Sequence, residues 1–299
     1  MSGDRLAVID AHQHFWDPTE GEYPWLTPDS PEIYRRFDFE DVAPSLARQS
    51  IDGTVLVQAA DNDADTEFMF DIAAAHEQIV GVVGYVPLER PDRLVDRLAE
   101  LQGRDTFVGI RNLIHDQPDP DWLLRADVAE GLRLLEQARV PFDLVAVLPR
   151  HLEHVDYLSE QFPGLDIVID HLAKPPVNTQ NTEPWTTLIR RAATNPRVHA
   201  KVSGLYPAVG DGRSAQPTDL RPWVDVALDA FGPERLMIGS DWPISVLAGG
   251  YDAVWSNLVA VIQGYGADVA DQVLGRTAVR FYGLVDPTRL PGAAVRLPG

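Results

Sequence analysis

Eight short apolar runs, separated by stretches of helical periodicity, constrain this 299-residue chain more than any other feature. The runs cover residues 7–11, 53–58, 80–86, 107–113, 141–147, 165–172, 198–205 and 235–242. Most are continuous rather than alternating, as strands buried on both faces of a parallel sheet are. Helical patterns fill 38–49, 65–78, 91–102, 121–138, 150–161, 183–194 and 217–231, and two more follow at 252–263 and 267–282. Asp38 is placed to cap the first of these, and Pro91 sits in the first turn of the third, where its missing N–H breaks no bond. Parallel strands need long crossovers, so eight strand–helix units in this length predict an α/β protein, a (β/α)8 TIM barrel. An open doubly wound sheet is the alternative, but no glycine-rich turn follows the first run to favour it. Residues 1–285 read as one barrel and 286–299 as an extended tail.

Chemistry in such a barrel gathers at the C-terminal ends of the strands. The first run leads into His12 and His14, two apart and so on one face of a strand, with Asp10 expected on that face as well. The second ends in Gln58, the third in Tyr85 and Pro87, and the fourth in Arg111 and Asn112, with His115 beyond. The fifth ends at Val147 and Leu148, with His151 after them. Asp170, His171 and Lys174 close the sixth, Lys201, Ser203 and Tyr206 the seventh, and Ser240, Asp241 and Trp242 the eighth. The longest loops, 17–31, 175–183 and 206–217, follow strands 1, 6 and 7 and so share this face. Lys201 can either pair with Asp170 in the core or meet a ligand. Trp16, Trp25 and Trp242 can be packing or pocket wall. His76, His154 and His199 are assigned to surface or core packing.

Composition narrows the partners. Against 25 Lys and Arg stand 45 Asp and Glu, a net charge of −20 that argues against nucleic acid and anionic membranes. A cationic pocket can still take a small acidic ligand. With no cysteine, disulfides, thiolate metal sites and cysteine nucleophiles are excluded. Neither a signal-peptide pattern nor an apolar run of membrane-spanning length is present, so a cytoplasmic location is expected.

Four motifs in order, IDAHQHFWD, DHLAKP, KVSGL and IGSDWP, resemble the amidohydrolase superfamily, and within it the branch of sugar-lactone hydrolases and pyrone-dicarboxylate lactonases. The resemblance implies hydrolysis of a small-molecule lactone on a (β/α)8 barrel. It also implies metal ligation by His12, His14, His171 and Asp241. Arg111 stands where the superfamily carries a strand-4 lysine or glutamate, and no histidine ends strand 5. The expectation is therefore one divalent ion at most, zinc or manganese, or no required metal. Fuconolactonase-like members carry a glutamate just after the KVSGL position; here Tyr206, Pro207 and Ala208 follow, and the first acid is Asp211.

In the resulting scheme Asp241 is the general base toward water, and His12, His14 and His171 polarise the carbonyl and stabilise the oxyanion. Arg111, Lys174, Lys201, Trp16 and Trp242 are expected against substrate. The rival readings are a metal-dependent decarboxylase of an aromatic or unsaturated acid and a non-catalytic sugar-acid-binding protein. A small-molecule substrate is the expected partner, and homo-oligomerisation is left open.

Overall fold

Seven of the eight strands are shorter than the apolar runs that announce them; the first is as long as its run but lies two residues further on, so that it takes in His12. The computed structural model describes residues 6–177, 179, 181–206 and 215–285. Its strands are β1 (Ile9–Gln13), β2 (Gly53–Val57), β3 (Ile79–Gly84), β4 (Phe107–Asn112), β5 (Phe142–Leu144), β6 (Ile167–Ile169), β7 (Val198–Val202) and β8 (Leu236–Ile238). All neighbours pair in parallel, in the order β1 to β8. Backbone bonds close the remaining seam just beyond β8: Asp241 N donates to His12 O (2.9 Å) and His14 N to Trp242 O (2.7 Å). The eight-stranded barrel expected from the sequence is thus present, and its closing seam lies beside the histidine pair.

Helices α1 (Phe39–Arg48), α2 (Asp63–Ala75), α3 (Pro91–Gln102), α4 (Ala126–Ala138), α5 (Pro149–Gln161), α6 (Trp185–Ala192), α7 (Pro217–Phe231) and α8 (Tyr251–Gln263) form the outer layer. Asp38 caps α1 as expected, accepting from Glu40 N. The helix expected over 121–138 divides at Arg125, a short turn at Trp122–Leu124 preceding α4. That expected over 267–282 is α9 (Ala267–Asp271) and α10 (Thr277–Tyr282), joined by a widened turn at Gln272–Arg276. Gly275 lies in that turn because its backbone touches the chain entering β1; a Cβ there would meet Ala7 O at 1.8 Å. No helix among the described residues is long and apolar enough to cross a membrane.

The larger core packs strands against helices. A smaller one, with Ile9, Ala11, Val55, Val57, Val83, Val168 and Met237, fills the barrel interior and is shared with Tyr282 and Leu284. The strand facing is not uniform along β1. Asp10 pairs with Thr54 but Gln13 with Leu56, so β1 carries one residue more than β2 between these points. This bulge turns Asp10 away from the histidines. Asp10 instead accepts from Ser240 N (2.8 Å), Gln13 Nε2 (2.6 Å) and Tyr251 OH of α8 (3.0 Å), tying β1 to the stretch after β8 and to the helical layer. The expected common face of Asp10, His12 and His14 is corrected accordingly: a bulge shifts the period-two alternation by one residue.

Candidate active site

Asp241 is the point on which the strand ends converge. Its Oδ1 lies 3.4 Å from His14 Nε2 and 3.8 Å from both His12 Nε2 and His171 Nε2. Its Oδ2 lies 3.9 Å from Lys174 Nζ. The two oxygens therefore face different partners, imidazoles on one side and an ammonium on the other. The closing seam sets His12, His14 and Asp241 side by side, whereas His171 reaches the group from β6 by an unusual route. Residues His171, Leu172, Ala173 and Lys174 all have left-handed φ, between 49° and 58°. Each such L-residue is disfavoured by roughly 1–2 kcal/mol, so neighbours must hold the turn. Leu172 is fully buried, its carbonyl accepts from Trp185 Nε1 (2.6 Å), and Lys174 N donates to His171 O (2.9 Å). His171 and Lys174 were expected at a strand end; both lie on this left-handed turn, and strained backbone of this kind is concentrated at functional sites.

Glycine makes the room. Gly204 has φ +57°, and a Cβ on it would lie 2.5 Å from His171 Nδ1 and 2.9 Å from Asp241 Oδ2. A Cβ on Gly239 would lie 2.5 Å from that of His12. The glycines of KVSGL and IGSD thus let two strand ends close on the site. Ser203, beside Gly204, places its Oγ 2.9 Å from His171 Nδ1 and fixes that ring. Ser203 was noted at the end of strand 7 without a role; the two glycines were not expected as site residues, although glycines following apolar strands were a readable signal.

The donor set suits a divalent cation. His12, His171 and Asp241 offer ligand atoms within 4.8 Å of one another, with His14 on the flank, its Nε2 3.1 Å from that of His12. Burial lowers all three imidazoles, His12 and His171 well below their ordinary value, so they are neutral with lone pairs to offer. Burial alone would raise the Asp241 carboxyl, but His171, His14 and the Lys174 ammonium around it outweigh that and hold Asp241 ionised. Neutral imidazoles around one carboxylate, with outer nitrogens held by Ser203 and Val57 O, are the protonation states and supporting contacts that a bound metal requires.

Above the group opens a cavity of about 190 Å³, lined by His14, Trp16, Trp25, Arg111, His115, His171, Lys174, Asp241 and apolar side chains. Trp16 and Trp25 meet edge to face at 5.2 Å and are pinned through their indole N–H groups to Ile33 O and Ala59 O. Trp242, expected against substrate, is absent from the wall; it packs at right angles on Phe15 and Phe37 inside the core. Lys201 is likewise not in the wall. It is fully buried beneath His12, 2.5 Å from Asp143 Oδ2 and 3.1 Å from Asp170 Oδ1. It lies within β7, one residue before the strand ends, with its side chain in the barrel interior. Arg111 borders the cavity, but its guanidinium is engaged by Asp170 (3.1 Å) and by the carbonyl of Gln58. His115 was noted after strand 4 without a role; it lines the cavity, and burial pushes it down to about 4, leaving a neutral ring. His151 is elsewhere, accepting from Val147 N and Leu148 N at the start of α5. Asp211 and residues 286–299 lie outside the described residues.

A sequence profile described as amidohydrolase matches residues 9–284. An L-fucono-1,5-lactonase of Burkholderia ambifaria is 35% identical over 286 residues, covering 94% of this chain and 97% of its own length. An L-fucono-1,5-lactonase of Burkholderia multivorans is 32% identical, with 93% and 97% covered. Among solved structures, a Burkholderia multivorans amidohydrolase with bound zinc superposes with a TM-score of 0.84 at 32% identity, covering 93% of this chain and all of that one.

Proposed function

Because the chain belongs to the amidohydrolase family, we propose that it is a hydrolase that opens a sugar lactone, with L-fucono-1,5-lactone the first substrate to try. One observation carries the reading: three imidazoles from β1 and the β6 turn surround a single carboxylate oxygen at the floor of an aromatic-walled cavity. Water attacks the lactone carbonyl, the ring C–O bond breaks, and a hydroxyl and a carboxylate result, with one proton released. Asp241 Oδ2, turned from the imidazoles, takes the proton from the attacking water. Zinc or another divalent cation would be held by His12, His171 and Asp241 with His14 beside them, and would supply a Lewis acid to the carbonyl oxygen as it gains charge. Lys174, a third exposed and facing Asp241, is the cation best placed to bind substrate hydroxyls, since Arg111 is already engaged. Trp16 and Trp25 offer flat apolar faces to the sugar ring.

The relatives do not favour decarboxylation or non-catalytic binding. The test is acid release followed with a pH indicator on a panel of aldonolactones and pyrone lactones, with and without chelator. Turnover of a 1,5-lactone that is reduced strongly by Asp241→Asn is the expected result. A folded protein that opens no lactone on the panel overturns it.

A further inference from the structure

His12 Nδ1 is contested by two buried groups of opposite kind. Lys201 Nζ lies 3.1 Å from it and Asp170 Oδ1 3.3 Å. An ammonium only donates and a carboxylate only accepts, so the ring cannot satisfy both. Lys201 donates to Asp143 Oδ2 and to His12 Nδ1, and stands 3.1 Å from Asp170 Oδ1 as an ion pair without a well-directed hydrogen bond. That arrangement makes Nδ1 an acceptor and puts the proton of the neutral ring on Nε2. The next links agree. His14 Nδ1 lies 2.7 Å from the carbonyl of Val57, which can only accept, so His14 carries its proton there and its Nε2 is bare. His12 Nε2–H then has an acceptor 3.1 Å away in His14 Nε2. Every donor in the run from Lys201 to Val57 has a partner.

A cation on His12 Nε2 needs the opposite form. A ligating nitrogen must be unprotonated, so the proton moves to Nδ1, where Asp170 Oδ1 is the acceptor. That oxygen makes no well-directed hydrogen bond otherwise. The ring stays neutral throughout; only the site of its proton changes. We infer that Lys201 and Asp170 are positioning residues that choose the His12 tautomer: Lys201 holds the Nε2–H form in the metal-free enzyme, and Asp170 receives Nδ1–H when a divalent cation occupies the group. The inference rests on the reading of His12 as a metal ligand. It gives the metal-free site an N–H donor at the position where the loaded site uses a lone pair.

The test reads the tautomer and not the turnover. Protein labelled with 15N-histidine is stripped by chelation, long-range 1H–15N spectra are recorded, and the His12 signals are assigned by their loss in His12→Gln. In the metal-free wild type the protonated nitrogen is expected to be Nε2, and stoichiometric zinc is expected to move the proton to Nδ1. Lys201→Met is expected to give Nδ1–H without zinc and to bind zinc several-fold more tightly. Should that variant fail to fold, the two wild-type spectra decide. Nδ1–H in the metal-free wild type overturns the inference, as does a His12 tautomer indifferent to zinc. Either outcome leaves lactone hydrolysis standing if turnover is seen, and absence of turnover with the expected tautomers leaves the inference standing without that activity.

Discussion

At the scale of single residues, Asp241 combines two tasks that most sites divide. One oxygen lies among the imidazoles and the other faces Lys174. Asp241→Asn keeps the volume but replaces one acceptor with an N–H₂ donor and removes the charge. Loss of a general base slows a reaction by ~10²–10⁴-fold, and kcat should carry that loss with KM little changed. Turnover near that of the wild type would place the base elsewhere. Lys174→Ala should act the other way, raising KM more than it lowers kcat, while Arg111→Ala should lower stability as well, because it strips Asp170 of a buried partner. Steady-state kinetics on the three variants separates these roles. Gly204→Ala tests the cradle. Its methyl would collide with His171 and Asp241, and its left-handed φ adds roughly 1–2 kcal/mol of strain. Loss of both activity and zinc binding with an unchanged far-UV spectrum is expected; a variant that retains both would mean that the close approach is not needed.

At the scale of elements, the site is built where regular structure gives way: the bulge in β1, the left-handed turn after β6, and the stretch after β8 that closes the seam. These are also the places where the sequence was hardest to read. Apolar runs located all eight strands, because burial on both faces leaves an unmistakable composition. They overran the C-terminal ends of β5 to β8, because residues that turn toward the site stay buried after leaving the sheet. Period-two reasoning brought His12 and His14 together but carried Asp10 with them, since nothing in IDAHQ marks an extra residue. Lys201 was recognised as able to pair in the core, yet its partner Asp143, a lone charge inside the apolar run at 141–147, passed unremarked. The first turn of α2, packed against the stretch after β2, shows what else such ends conceal. Asp65 is buried there and accepts from Ala59 N, fixing part of the cavity wall. Burial pushes its carboxyl up to about 7, against the lowering pull of its hydrogen bonds. The folded protein therefore holds a proton on Asp65 that the unfolded chain releases near pH 3.8. The sign follows: stability from this group is full at low pH and declines as pH rises from about 4 to about 7. Urea unfolding should show the wild type losing ground to Asp65→Asn across that window and then levelling. A constant difference between the two would rule the argument out.

At the scale of the whole molecule, the candidate ligands come from the first strand, the turn after the sixth and the stretch after the eighth, so an ion held there ties together both ends of the barrel sheet. The seam it spans relies on a few backbone bonds between β1 and residues 240–242. The field of a chain with net charge −20 draws divalent cations and repels a carboxylate product. Binding that favours the folded state adds about 2.7 kcal/mol when free ligand is about 100 times its Kd. Zinc at that excess should therefore raise the unfolding free energy by about this amount, and His171→Ala, which removes one member of the group without touching the seam, should abolish most of the gain. The described residues bring together one group of this kind. Elemental analysis after dialysis against zinc should accordingly find no more than one ion per chain. Two stoichiometric ions, or a zinc-dependent stabilisation that survives intact in His171→Ala, would show that the cation binds somewhere other than the end of the barrel that this group closes.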